Sequence, residues 1–152
     1  MRGVGRGRAR GAGRDVGVPV SGRLIAPGSA NAPALVLDEP LSLWGGLDPA
    51  TGVVIEPRHP QHRGLVTGRV LVMPAVRGSS PSASVLAEAV RAGTAPAGIV
   101  LGEPDLILAI GAAVAAELYG IEVPIAVLPP AELAAIATGQ PVGIGPEGVS
   151  AD

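Results

Sequence analysis

Residues 67–101 read TGRVLVMPAVRGSSPSASVLAEAVRAGTAPAGIVL, and a change of period along them points to the fold. Thr67–Met73 is apolar and β-branched and stops at Pro74, the pattern of a buried strand. Ser82–Arg91 has helical spacing, with Val85, Leu86, Ala89 and Val90 on one side. Gly98–Leu101 is again a short apolar run and reads as a strand. Toward the C-terminus the alternation continues. Asp105–Tyr119 is the longest helix candidate, closed by Gly120 as C-cap. It is apolar nearly all round, which predicts burial or cover by a partner. Pro124–Leu128 reads as a strand, Pro130–Thr138 as a helix closed by Gly139, and Pro141–Ile144 as the last strand.

Toward the N-terminus the runs are shorter. Val20–Ala26 and Ala34–Leu37 read as strands, the second ended by Asp38-Glu39-Pro40. Leu41–Pro49 reads as a loop with a Gly45-Gly46 pair, Val53–Ile55 as a strand, and Pro57–Gly64 as a polar stretch holding both histidines. A β-rich first half followed by β–α–β units predicts an α/β domain of three layers, β/β/α, over residues 18–152. Met1–Gly17 is rich in Arg, Gly and Ala without an apolar period and is expected to be disordered, a solvated extension in preference to an RNA-touching tail.

The 152 residues suit one domain with a real core. Trp44 and Tyr119 are the only aromatics, so that core must be built from Ala, Val, Leu and Ile. All eleven basic residues are Arg, five of them within Met1–Arg14; from Asp15 onward six Arg face thirteen acids. An acidic body argues against a nucleic-acid partner. The absence of cysteine excludes disulfides, Cys-ligated zinc and Cys-ligated iron–sulfur binding by this chain. The longest apolar stretch, Leu106–Ala116, is too short to cross a bilayer, and the basic N-terminus lacks the apolar block of a secretory signal. A cytoplasmic protein without membrane contact is expected.

Three segments are candidates for chemistry. Arg77-Gly78-Ser79-Ser80-Pro81-Ser82 follows a strand and opens a helix, where backbone N–H groups and the positive helix end favour an anion. Pro81 suits the first helical position and makes Ser80 a natural N-cap, whereas Ser79 is harder to explain as a cap. In Leu43–Gly52, Asp48-Pro49 is turn chemistry, and Gly45-Gly46 beside Trp44 suits close approach of a ligand or partner; a tight loop with one aromatic plug is the plainer reading. His59 and His62 stand at i, i+3, but no third ligand is near in sequence, so a solvated loop is preferred to a metal site, with His59 kept as an orienting or proton-handling group. Gly143-Ile144-Gly145-Pro146-Glu147-Gly148 matches the dinucleotide pattern and is rejected because no helix follows to receive the pyrophosphate. Glu103 and Asp105 are read as helix-starting residues.

Taken in order, these segments resemble the aconitase X swivel domain. Leu41-Ser42-Leu43-Trp44-Gly45-Gly46-Leu47-Asp48-Pro49 is similar to that family's Leu-Ser-Phe-Trp-Gly-Gly-Val-Asp-Pro signature. His59-Pro60, Gly68–Pro74, Gly78-Ser79-Ser80 and Ala95–Val100 follow in the family's order, and the resemblance spans about Val20 to Ile144. It implies a swivelling β/β/α domain like the mobile domain of aconitase. The implied partner is a large subunit carrying an iron–sulfur cluster. The implied reaction is dehydration of a small hydroxy acid: cis-3-hydroxy-L-proline first, mevalonate 5-phosphate as the alternative. Ser79 is the implied catalytic base. Gly78, Ser80 and Arg77 are implied to bind substrate, and Trp44, Gly45, Gly46, Asp48 and His59 to form the partner or active-site loop. This chain is expected to bind no metal and to be inactive alone. Where many relatives read Gly-Ser after Gly-Ser-Ser-x, this chain has Ser82-Ala83. A non-catalytic swivel-type binding domain is the rival reading from another class.

Overall fold

A computed structural model describes residues 18–152; the expectation for Met1–Gly17 lies outside the described residues. Among the described residues there are ten strands: β1 (Val18–Ser21), β2 (Arg23–Ala26), β3 (Ala30–Val36), β4 (Leu47–Asp48), β5 (Val53–Val54), β6 (Val70–Met73), β7 (Gly98–Leu101), β8 (Ile125–Val127), β9 (Pro141–Gly145) and β10 (Gly148–Ala151). Helix α1 spans Ser82–Ala92, α2 Leu106–Tyr119 and α3 Pro130–Leu133. A helical turn at Leu43–Gly46 contains non-helical residues.

Eight strands form one sheet in the order β1-β10-β9-β3-β6-β7-β8-β2, and β4 and β5 form a separate hairpin. The centre, β3-β6-β7-β8, is parallel, as the β–α–β reading requires. Its strands are buried on both faces, and successive side chains serve opposite layers. Leu71, Met73, Ile99, Leu101 and Ile125 pack with the α1/α2 layer through Val85, Leu86, Val90, Leu108, Ala112 and Ala115. Val70, Val72, Val100 and Ala126 face Val142, Ile144, Val149 and Ala151 of the antiparallel half. The three layers are therefore β/β/α, as expected.

One strand joins the two halves. In β3, Ala30–Pro33 pair antiparallel with β9, while Ala34–Val36 pair parallel with β6. The sequence marks only the second half, because Pro33 interrupts the apolar run. The expected strand Val20–Ala26 is likewise two, bent at Gly22, whose φ of +80° suits glycine. A Cβ there would strike the Val127 carbonyl. Because β1 and β2 are the two margins of the sheet, this bend joins the margins through consecutive strands.

Three further boundaries are corrected. The expected helix Pro130–Thr138 stops at Leu133 because the backbone of β3 captures residues 138–140. Gly139 N donates to Ala34 O at 2.8 Å, Ala34 N to Gln140 O at 2.9 Å, and Val36 N to Thr138 Oγ1 at 2.9 Å. Pro141–Ile144 is not the last strand: the rejected Gly-rich segment turns the chain into β10. The expected strand from Thr67 starts at Val70, after a turn with Gly68 at φ +70°.

Helix α2 begins as read from sequence, with Asp105 Oδ1 accepting from Leu108 N at 2.8 Å and Gly120 as a left-handed C-cap. It crosses α1 closely: a Cβ on Gly111 would sit 2.8 Å from Ala83 O. Its outer side carries Leu106, Ile110, Val114 and Leu118, all exposed and four residues apart.

Candidate functional site

The long connection from β3 to β6 builds the site. Leu41, Leu43 and Leu47 are buried in the core, which turns Ser42 and Trp44 outward. Trp44 is 61 % exposed, so the expected aromatic plug is in fact Leu43, and the indole stands at the rim. The turn at Trp44-Gly45 is not helical: Gly45 has φ +79°, a conformation that penalises a side chain, although a Cβ there would meet nothing within 4 Å. Gly46 is buried against Leu41.

The segment after β6 runs beside this turn. Leu41 and Val76 form a parallel bridge, and Arg77 N donates to Leu41 O at 3.1 Å. Gly78-Ser79-Ser80 then leads into α1. Among the described residues no side chain caps this helix, so the expected N-cap role of Ser80 is corrected: Ser82 N bonds Ser79 O at 2.9 Å, and Ser80 is exposed. Among the described residues the N–H groups of Gly78, Ser79 and Ser80 donate to no acceptor, and Ser79 Oγ has no hydrogen-bond partner. A half-buried hydroxyl next to three unpaired N–H groups can meet an anion or a developing negative charge.

The polar stretch 57–64 forms another wall, and it is not simply solvated. His59 is 6 % exposed, its Nδ1 accepts from Gln61 N at 3.0 Å, and its Nε2 lies 3.0 Å from Glu39 O. Since Nδ1 accepts, the ring proton sits on Nε2 and is donated to Glu39. Gln61 adds two contacts to Asp38, through Nε2 to Oδ2 and through Oε1 from the Asp38 amide, both at 2.9 Å. His59 is thus an orienting residue that fastens one wall of the site to residues 38–39, and both of its nitrogens are occupied. His62 is exposed.

These walls enclose a cleft of about 460 Å³ bordered by Glu39, Trp44, Gly45, Gly46, Glu56, Arg58, His59 and Arg77. The structure so brings together Trp44, Gly45, Gly46, His59 and Arg77 of the residues singled out from sequence, with Ser79 two residues beyond Arg77. Asp48 is not among them: Oδ1 accepts from Ala50 N at 2.9 Å and Oδ2 from Thr51 Oγ1 at 3.0 Å, which makes it the organiser of the β4–β5 turn. Sequence does not single out Arg58, Glu39 and Glu56, because charged loop residues carry no periodic signal. Ser82 reads from sequence at most as a helix-capping serine; in the structure it is fully buried and bonded to the Trp44 turn. A second hollow, about 580 Å³, lies between the ends of β3 and β6 and helix α3, and its lining is mainly apolar apart from Asp38 and Glu103.

The cleft carries both signs of charge. Arg58 and Arg77 stand with Glu39 and Glu56, and among the described residues no ion pair joins them; the one pair present there is Arg91–Glu88 on the outer side of α1. There Arg91 holds the Glu88 carboxyl below its ordinary range by a side-chain hydrogen bond. An iron–sulfur cluster does not fit this chain: it has no cysteine, and no group of three His, Asp or Glu among the described residues is placed to hold a metal. No helix among them is long and apolar enough to cross a membrane.

Comparison with known proteins bears on the family and the fold. The family described as the aconitase X swivel domain matches residues 19–150. A cis-3-hydroxy-L-proline dehydratase of Pseudomonas aeruginosa is 47 % identical over 106 residues, covering 70 % of this chain and 18 % of that protein. A phosphomevalonate dehydratase small subunit of Methanothermobacter thermautotrophicus is 41 % identical over 61 % of this chain and 71 % of its own length. The crystal structure of Thermococcus kodakaraensis aconitase X in its holo-form superposes with a TM-score of 0.76 at 28 % identity, over 87 % of this chain and 95 % of that one. The chain thus spans under a fifth of the hydroxyproline dehydratase and most of the archaeal small subunit.

Proposed function

The chain belongs to the aconitase X swivel domain family, and from that premise we propose that it is the small subunit of a two-chain hydro-lyase dehydrating a small hydroxy acid, with cis-3-hydroxy-L-proline as the first choice. The observation that carries the reading is the Gly78–Ser80 segment next to Arg77 of the charged cleft: among the described residues its three amides and the Ser79 hydroxyl have no partner. Ser79, as alkoxide, takes the proton from the carbon beside the substrate carboxylate as the hydroxyl leaves. The amides of Gly78, Ser79 and Ser80, with Arg77, hold the carboxylate and the charge that grows on it. Trp44 and His59 form the wall that must meet the partner, and docking of the two chains excludes water from the site. The large subunit supplies the cluster, for which this chain has no ligands, and its assistance to the leaving hydroxyl.

The mixed charge of the cleft supports the substrate choice. An imino acid carries a carboxylate for Arg77 or Arg58 and an ammonium for Glu39 or Glu56. A phosphorylated hydroxy acid brings only negative charge, for which Arg58 and Arg77 are partners but Glu39 and Glu56 are not. The small-subunit relatives favour the second reading, phosphomevalonate dehydration, because they share the two-chain arrangement.

The test is an anaerobic assay of this chain co-purified with its large subunit, on each acid, with Ser79→Ala in parallel. Turnover of hydroxyproline that needs both chains, and is lost in Ser79→Ala while the complex still forms, is expected. An active Ser79→Ala complex rules out the assigned base. A complex that turns over only mevalonate 5-phosphate moves the substrate. Failure to form any complex leaves the non-catalytic binding module.

A further inference from the structure

We propose that Ser82 is a positioning residue that holds Trp44 in register with the Ser79 loop; its catalytic consequence rests on the dehydratase reading, the contact itself does not. Ser82 is fully buried at the first position of α1. Its Oγ accepts from Trp44 N at 3.2 Å, across 38 positions of sequence. Its own N–H bonds Ser79 O at 2.9 Å. One residue therefore joins the Ser79 carbonyl to the Trp44 amide, and among the described residues it is the sole acceptor for that amide.

Leu43 and Gly46 on either side are buried and anchor the turn, but little else holds the Trp44 amide and side chain. The indole is 61 % exposed and lacks the packing that orders a core aromatic. The next residue, Gly45, is in open space with a positive φ, a natural pivot. The Ser42 hydroxyl holds the Trp44 carbonyl at 3.1 Å but belongs to the same turn and moves with it. The tie to α1 comes from Ser82, and a glycine at this position has no hydroxyl to make it.

Trp44 is the sole tryptophan, so its fluorescence reports how firmly this residue is held. Acrylamide quenching of the isolated full chain and kcat and KM of the complex are measured for Ser82→Ala, Ser82→Gly, Ser82→Thr and Ser84→Ala, an exposed serine on the same helix. Ser82→Ala and Ser82→Gly should quench more readily and lose about five- to tenfold in kcat with little change in KM, the factor for one neutral hydrogen bond. Ser82→Thr should restore both, and Ser84→Ala should match the parent. Parent-like quenching in a folded Ser82→Ala chain overturns the contact. Greater quenching with an unchanged kcat overturns the positioning role. If the parent complex dehydrates neither acid, the dehydratase reading fails, and the quenching series still decides whether Ser82 holds Trp44.

Discussion

Replacing His59 separates a residue that holds a wall from one that moves protons. The ring is 6 % exposed and makes two hydrogen bonds, from Gln61 N and to Glu39 O, each 3.0 Å long. His59→Ala removes both and leaves a half-buried amide and carbonyl to find water. At about 1 kcal/mol for each neutral bond, with some lost packing, the variant should be less stable by about 2–3 kcal/mol. For a chain of this size that lowers Tm by roughly 4–12 °C. His59→Asn can place its amide oxygen near the Nδ1 position and keep the Gln61 contact, and His59→Gln can reach Glu39; each should recover about half of the loss. Urea unfolding of the three variants gives the stabilities, and kcat of the complex gives the function. Removing a proton-transfer group lowers rate by roughly 10²–10⁴-fold whatever replaces it. Recovery of kcat in step with stability is therefore the expected outcome. A His59→Ala chain as stable as the parent, or a Gln variant stable but inactive, refutes the assignment.

Single contacts set the other expected outcomes. Asp105→Ala removes the N-cap of α2 and should cost about 1 kcal/mol, read as a Tm fall of roughly 2–4 °C. Two glycines separate conformation from space. Gly45→Ala meets no atom and should cost about 1–2 kcal/mol through its positive φ alone, whereas Gly111→Ala forces α2 away from Ala83 and should cost about 1–3 kcal/mol despite alanine's helix propensity. Urea unfolding checks both; equal stability of Gly111→Ala and the parent contradicts the close crossing.

The parts of the fold legible in sequence are those where a single period governs a whole element. Gly98–Leu101 appears as read because both faces are buried, and α2 because Asp105 and Gly120 bound a long apolar run. What sequence misreads is decided between distant segments. Thr138 and Gly139 leave a helical pattern because β3 offers them backbone partners. Ala30–Pro33 joins a strand because β9 returns to pair with it. The site divides in the same way. Trp44, His59 and Arg77 come to one cleft as their segments suggested. Asp48 turns inward to its own loop, and the partnership of Ser82 with Trp44 depends on a contact that no local pattern announces.

The pairing of β1 with β10 sets Val18 opposite Ala151, so the first and last described strands leave the domain along one seam. A body whose two ends emerge side by side can be grafted onto a larger protein, or released from it, without recutting its interior. A short linker across that seam, with new ends opened in an exposed turn such as Pro146-Glu147, should yield a circular permutant with the same layers. The same geometry suits a module that occurs as a fifth of one relative and most of another.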